Sequence, residues 1–189
     1  MIDKSAARKI SSYKRNLLSE VEIAEKSKLI CDKITQLENY RSADNILAYY
    51  RYGKEVDLKY LYEKAADDGK RVFLPKVKGR DMDFYPYTGS ESIREGYRGI
   101  KEPVSEAAFI PDSDMSILMI MPGLSFDRKL GRAGYGGGFY DRYLDRFKDA
   151  YIAKAAVAYS IQILEDEIAL NELDIRPEMI ITENEIICG

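Results

Sequence analysis

Residues 131–143 read GRAGYGGGFYDRY, with Gly131, Gly134, Gly136, Gly137 and Gly138 filling five of eight consecutive positions before an aromatic, charged run begins. Glycine loses more backbone freedom on folding than any other residue, so such a cluster marks a place where something must come close to the main chain. Arg132 puts a guanidinium inside the cluster, suited to bidentate contact with a phosphate. Asp141 falls in the first turn of the helix that follows, where a carboxylate can take a phosphate-bridging Mg2+. Unpaired N–H groups of that first turn, with the helix dipole, complete an anion site. The alternative is a structural turn that lets helix and strand pack tightly, with Asp141 as a favourable charge at the helix start. On loop composition alone the two readings stand even. The named phosphate patterns do not apply, because no Lys-Ser or Lys-Thr follows the glycines and position 139 is Phe.

Composition narrows what the loop can serve. The 189 residues include no histidine, which removes histidine-activated nucleophiles, histidine bases and histidine-bound zinc. Chemistry then falls to carboxylates, lysine, arginine, tyrosine and main-chain dipoles, and a metal would be a hard cation on oxygen ligands. A net charge of −3 gives no reason to expect a nucleic acid or a membrane surface as partner. No apolar run approaches the roughly 20 residues that span a bilayer, and MIDKSAARKI at the start lacks the apolar stretch of a secretory signal. Cys31 and Cys188 lie far apart without metal-ligand neighbours, and read as buried or free thiols of a reducing, cytoplasmic compartment. With 46% hydrophobic and 32% charged residues, a single domain over 1–189 can bury a core without staples.

The elements that must hold the loop follow from periodicity. A helix is predicted over 3–17, and SEVE at 19–22 is a capping box that starts a second helix running to about residue 38. In that second helix Ala24, Ser27, Ile30, Cys31, Ile34 and Leu37 share the helical spacing. NILAYY (45–50) reads as a short strand, Asp57 as the cap of a helix ending at Gly69, and RVFLPKV (71–77) and MDFYPY (82–87) as strands. SILMIMPG (116–123) is apolar at five consecutive positions, as a strand buried on both faces would be. Tyr140, Tyr143, Leu144 and Phe147 at i, i+3, i+4 and i+7 start a helix, and strands at 151–160 and 179–183 complete the set. The stretch 88–113 is the loosest. Helices alternating with short apolar strands define an α/β fold, three-layered, with a largely parallel sheet flanked by helices. In such sheets ligands gather beyond the carboxyl ends of the strands, and the glycine loop is expected there.

The longer string MPGLSFDRKLGRAGYGGGFYDRYL (121–144) resembles the signature of the 5-formyltetrahydrofolate cyclo-ligase family, P-G-x-x-F-D-x-x-G-x-R-L-G-Y-G-G-G-Y-Y-D-R. Ala133 stands where the family has Leu, and Phe139 where it has Tyr. Lys4 and Arg8 are similar to the family's N-terminal K-x-x-x-R, YYRYGKEVD (49–57) to its substrate-binding strand end, LPKV (74–77) to its second strand, and GIKEP (99–103) to its G-I-x-E-P. The resemblance implies an α/β scaffold of the kind shared with sugar-phosphate isomerases and CoA transferases. It implies ATP as co-substrate, bound by Lys4, Arg8 and the loop from Arg132 through Ala133, Gly134, Tyr135, Gly136, Gly137, Gly138 and Phe139 to Tyr140. It assigns 5-formyltetrahydrofolate to Tyr50 and Glu55, catalytic roles to Arg132 and Tyr140, and Mg2+ to Asp141 with a second carboxylate near the last strand. There the family's H-D-x-x-x-D meets ELDIRPEMIIT, so Leu173 replaces the histidine, Asp174 keeps the first carboxylate, and Glu178 stands for the second.

Read without the resemblance, Lys4 and Arg8 are solvated surface charges, Glu55 is a loop charge before a helix, and Tyr50 and Tyr140 are core aromatics. The reaction implied is ATP-driven cyclisation to 5,10-methenyltetrahydrofolate through an N5-iminium phosphate, with release of ADP and phosphate. Two other readings share these features: a sugar-phosphate isomerase-like enzyme, which would need neither ATP nor Mg2+, and a nucleotide- or folate-binding protein without turnover, towards which Leu173 and Glu178 point. A monomer is expected. Lys76, Lys78 and Arg80 are candidates for a basic rim that would prefer polyglutamylated folate, and Lys101 and Glu102 for further ligand contacts.

Overall fold

The computed structural model describes residues 1–96 and 99–189. The chain opens with α1 (Lys4–Asn16), whose start is fixed by Asp3 accepting from the Ser5 and Ala6 N–H groups at 2.8 and 3.0 Å. The capping box is present: Ser19 Oγ accepts from Glu22 N at 3.2 Å, Glu22 accepts from Ser19 N at 2.8 Å, and α2 runs Glu20–Gln36. Its buried stripe is Ile23, Ser27, Ile30, Cys31 and Ile34, so Ile23 rather than the exposed Ala24 opens it. A short α3 (Glu38–Ser42) turns the chain into the sheet and anchors it through the buried Tyr40.

β1 (Asn45–Leu47) is shorter than expected, and α4 (Lys59–Asp67) is entered at Leu58 instead of Asp57. Asp57 still accepts from the Lys59 N–H at 3.0 Å, one residue earlier than a regular cap would sit. β2 (Arg71–Lys78) and β3 (Asp81–Tyr87) form an antiparallel hairpin. Within the loose stretch 88–113, residues 97 and 98 lie outside the described residues, and β4 (Ile93–Glu95) pairs with β5 (Lys101–Pro103).

β6 (Ile117–Met121) is buried at all five positions and lies in the middle of a seven-stranded sheet, as its unbroken apolar run requires. β7 (Ser125–Asp127) and β8 (Arg132–Ala133) form a hairpin before α5 (Phe139–Arg146). β9 (Ile152–Val157), β10 (Ile163–Leu164), β11 (Met179–Ile181) and β12 (Ile186–Cys188) complete the chain. The large sheet has the order β12-β11-β9-β6-β1-β2-β3, parallel from β11 to β2 and antiparallel at both edges.

Alternation in β6 splits the core in two. Leu118 and Ile120 pack under α2, α3 and α4, while Ile117, Met119 and Met121 pack against α5 and the β7–β8 hairpin. The layers are therefore helix, sheet and helix. α1 covers neither face; it lies on the small sheet β10-β7-β8, with Ala7 packed on Ala133, Leu164 and Ile168. Cys31 is buried and its thiol is pushed up to about 12 by burial, whereas Cys188 is exposed. Among the described residues no helix is long and apolar enough to cross a membrane.

Candidate active site

The glycine cluster does not follow β6 directly, because the β7–β8 hairpin is inserted between them. Asp127, buried in its turn, accepts from the N–H groups of Lys129, Gly131 and Ile168 at 2.8, 2.8 and 2.7 Å. Its carboxylate lies where a side chain on Gly131 would project, so that glycine serves the hairpin. Gly136 is different: its φ of +91° is a conformation that side chains resist, and the space beside it opens towards the Arg8 guanidinium. Gly138 then caps α5 with no side-chain acceptor, leaving the first-turn N–H groups available.

Cations converge on this loop from three elements. Arg132, on β8, keeps only 7% of its side chain exposed. Its Nη2 donates to Asp141 Oδ1 at 3.0 Å, its Nη1 reaches the Pro122 carbonyl beyond β6 at 3.5 Å, and its guanidinium lies 5.8 Å from the Tyr140 ring centre. Its Nε is buried without a partner. Among the described residues it finds no acceptor, and leaving such a charged donor unmatched costs upward of about 1–3 kcal/mol, so it calls for an acceptor, whether water or ligand. From α1, Arg8 Nε donates to the Gly134 carbonyl at 2.6 Å, and Lys4 pairs with Asp174. Partial burial opposes ionisation of Asp174, but the Asn171 N–H and Lys4 outweigh it and hold its pKa below the usual value. Together with Arg142, Asn171 and Leu173 these groups line a cavity of about 330 Å3. Four cations face two carboxylates there, beside a helix N-terminus, which is an environment for a polyanion.

A second cavity of about 220 Å3 adjoins the first and shares Pro122, Tyr135, Phe139 and Tyr140 with it. Tyr49, Tyr50, Tyr52, Val77, Met82 and Ile100 make it aromatic and apolar, and Glu55 and Glu102 bring two buried carboxylates. Glu55 accepts from the Tyr135 hydroxyl at 2.7 Å and from the Tyr52 N–H at 2.9 Å, and burial pushes its pKa up. Burial, with the Glu55 charge nearby, also pushes the Tyr140 phenol up, so it remains a neutral O–H. Glu102 accepts from the Val77 N–H at 3.2 Å, and Lys101 lies 6.0 Å above the Tyr50 ring. A larger groove of about 520 Å3, between α4 and the β2–β3 hairpin, contains none of the residues singled out from the sequence.

Every residue that the resemblance assigns to ATP, folate or Mg2+ lines one of the two cavities except Ala133 and Glu178; of the further candidates Glu102 does, and Lys76, Lys78, Arg80 and Lys101 do not. Ala133 is fully buried under α1. Glu178 is bound to Lys154 at 2.7 Å, and its N–H donates to the Lys154 carbonyl at 2.8 Å. It precedes β11, at the amino end of the parallel strands, whereas Asp141 sits at the carboxyl end, so the expected pairing of Asp141 with Glu178 is not made. Asp174 lines the cavity in its place. Among the described residues no cluster of three or more His, Cys, Asp or Glu is placed to hold a metal. The basic rim is also altered, because Lys76 and Lys78 share Glu106 at 2.8 and 3.6 Å. Two participants escaped the sequence reading: Arg142, visible in the quoted string as the residue after Asp141, and Arg15, a buried helix arginine whose Nη2 donates to the Tyr135 hydroxyl at 3.1 Å.

Fold and site together define an α/β protein that presents a cation-lined glycine loop beyond the carboxyl ends of a parallel sheet, beside a tyrosine-lined cavity. The chain belongs to the 5-formyltetrahydrofolate cyclo-ligase family, whose model matches residues 2–183. It is 30% identical to the probable 5-formyltetrahydrofolate cyclo-ligase of Schizosaccharomyces pombe, over 98% of each chain. It is also similar to the solved 5,10-methenyltetrahydrofolate synthetase of Aquifex aeolicus, with 30% identity, a TM-score of 0.83, and coverage of 98% of this chain and 92% of that one. The Mycoplasma pneumoniae 5,10-methenyltetrahydrofolate synthetase shares the fold at a TM-score of 0.76 and 23% identity, over 96% of this chain and 99% of that one.

Proposed function

We propose that the chain, acting as one domain, cyclises 5-formyltetrahydrofolate to 5,10-methenyltetrahydrofolate at the expense of ATP. The observation that carries this is the shared wall of the two cavities: a polyanion and an aromatic, amide-bearing molecule would meet across Pro122, Tyr135, Phe139 and Tyr140. The triphosphate lies along the glycine loop with Lys4, Arg8, Arg132 and Arg142, and the unmatched Arg132 Nε finds its acceptor in a phosphate oxygen. The amino-pyrimidine edge of the pterin donates to Glu55, and Tyr50 packs on its ring system.

The formyl oxygen attacks the γ-phosphate and ADP leaves, giving an N5-iminium phosphate; N10 then adds to the activated carbon, and the phosphate departs with the proton that N10 gives up. Little covalent help is needed, only in-line positioning and charge neutralisation, which suits a chain without histidine. Tyr140, neutral and beside Arg132, would donate to the oxygen that carries the developing charge. Asp141 would hold Mg2+: both hydrogen bonds to that residue fall on Oδ1, which would leave Oδ2 to take the cation. When bound, the ion neutralises phosphate charge. Absorbance of 5,10-methenyltetrahydrofolate in the near ultraviolet tests the reading: it rises when protein, 5-formyltetrahydrofolate and MgATP are mixed. A rise without ATP, or none with it, refutes it.

A further inference from the structure

Tyr135 stands in both cavities, and its surroundings give it a direction. Half of its surface (52%) is exposed, yet its hydroxyl lies between Arg15 Nη2 at 3.1 Å and Glu55 Oε1 at 2.7 Å. Arginine has no acceptor, so the hydroxyl must accept from Arg15 and pass its own proton towards Glu55. Arg15 is buried, with its Nε unmatched, and projects from the same side of α1 as Arg8, seven residues earlier. Arg8 holds the Gly134 carbonyl and Gly136 carries the positive φ, so the main chain that would wrap the phosphates flanks Tyr135 on both sides.

We infer that Tyr135, aimed by Arg15, is a positioning residue that couples the two cavities: nucleotide on the glycine loop sets Glu55 for the folate, and folate on Glu55 tightens the loop on nucleotide. This rests on the proposed reading of the two cavities. The coupling is reciprocal by thermodynamic necessity, since a loop fixed by one ligand costs the other less ordering. The groups facing Glu55 are Tyr135 and Tyr140 from the loop and α5, Arg15 from α1, Arg51 and Tyr52 beside it, and Tyr49 from the end of β1; the Tyr159 hydroxyl takes its carbonyl at 3.0 Å. Without the Tyr135 hydroxyl, Glu55 keeps only the Tyr52 N–H on its carboxylate among the described residues, and holds its proton to higher pH.

The test is calorimetric titration of 5-formyltetrahydrofolate into wild type, Tyr135→Phe and Arg15→Met, each with and without a non-hydrolysable ATP analogue. In wild type the analogue should tighten folate binding about fivefold or more. In Tyr135→Phe that ratio should fall to about one, the pH at which folate affinity drops should move upward, and Arg15→Met should shift both in the same direction. A wild-type ratio of one, or an undiminished ratio and pH profile in Tyr135→Phe, overturns the inference while the proposed function stands. A wild type that binds neither ligand overturns both.

Discussion

Glu55 is a carboxylate kept where its charge is costly, and that cost has a sign. Burial raises its pKa in the folded chain, so over the interval between its unfolded and folded pKa the folded state holds the extra proton. Stability therefore falls as pH rises through that interval. Glu55→Gln should melt at a higher temperature than wild type at about pH 8, the two should converge at the acid end, and folate affinity should fall at least about tenfold with the loss of the charged hydrogen bonds. Equal melting temperatures at both ends would mean that the carboxylate is not under strain. Arg132→Ala removes the buried guanidinium from between loop and strand end, and turnover should drop about 100- to 1,000-fold with the fold retained by circular dichroism. Near-normal turnover would end its phosphate role. Asp141→Asn should raise the Mg2+ concentration needed for half-maximal rate, and Glu178→Gln, bound as it is to Lys154, should not. That the glycine loop meets a constraint on its main chain is legible locally in its spacing, but its assignment to a phosphate comes from the resemblance, because composition alone leaves a structural turn equally open. Glu178 was misplaced because a sequence offset does not say at which end of a strand a side chain emerges.

At the scale of elements, β6 and the glycine loop before α5 separate stability from binding. Ile120→Val, deep under α2 and α4, should cost about 0.5–1.5 kcal/mol in denaturant unfolding and leave ATP affinity unchanged. Gly136→Ala, forced into φ +91°, should cost about 1–3 kcal/mol and also weaken ATP binding more than about tenfold. If the glycine variant binds ATP normally, the loop is a structural turn and nothing more. The long periodic elements, α2 and β6, could be read from apolar spacing because packing on one stripe or on two faces leaves a pattern. The short strands β8, β10 and β12 could not: β8 depends on the turn that Asp127 holds, β10 on a partner, β7, far away in sequence, and β12 on the turn after β11, and two or three residues carry no period. The same holds for α4, whose first turn slid one residue past Asp57.

Across the whole molecule, the sheet brings the ends of β1 and β6 side by side, and that adjacency is what sets two differently lined cavities against a common wall. α1 is fastened to this assembly in an unusual way. Its buried positions are Ala7, Ser11 and Arg15, while Ile10, Tyr13 and Leu17 at its surface are 40%, 69% and 68% exposed. The pattern hid Arg15 from sequence reading, since a charged residue on a polar helix ordinarily faces water. Four of its side-chain attachments are polar: Lys4 to Asp174, Arg8 to the Gly134 carbonyl, Ser11 to Ser125 at 2.8 Å, and Arg15 to Tyr135. Amide hydrogen exchange in α1 should therefore slow markedly when ATP is added, while exchange in β6 stays as it was; equal protection of both would contradict a charge-fastened helix. Ionic strength should act on the same joint. Screening shortens from about 10 Å at 0.1 M to about 3 Å at 1 M, which loosens α1 well before it troubles the apolar sheet. Dissolved salt then competes with this protein for its own first helix.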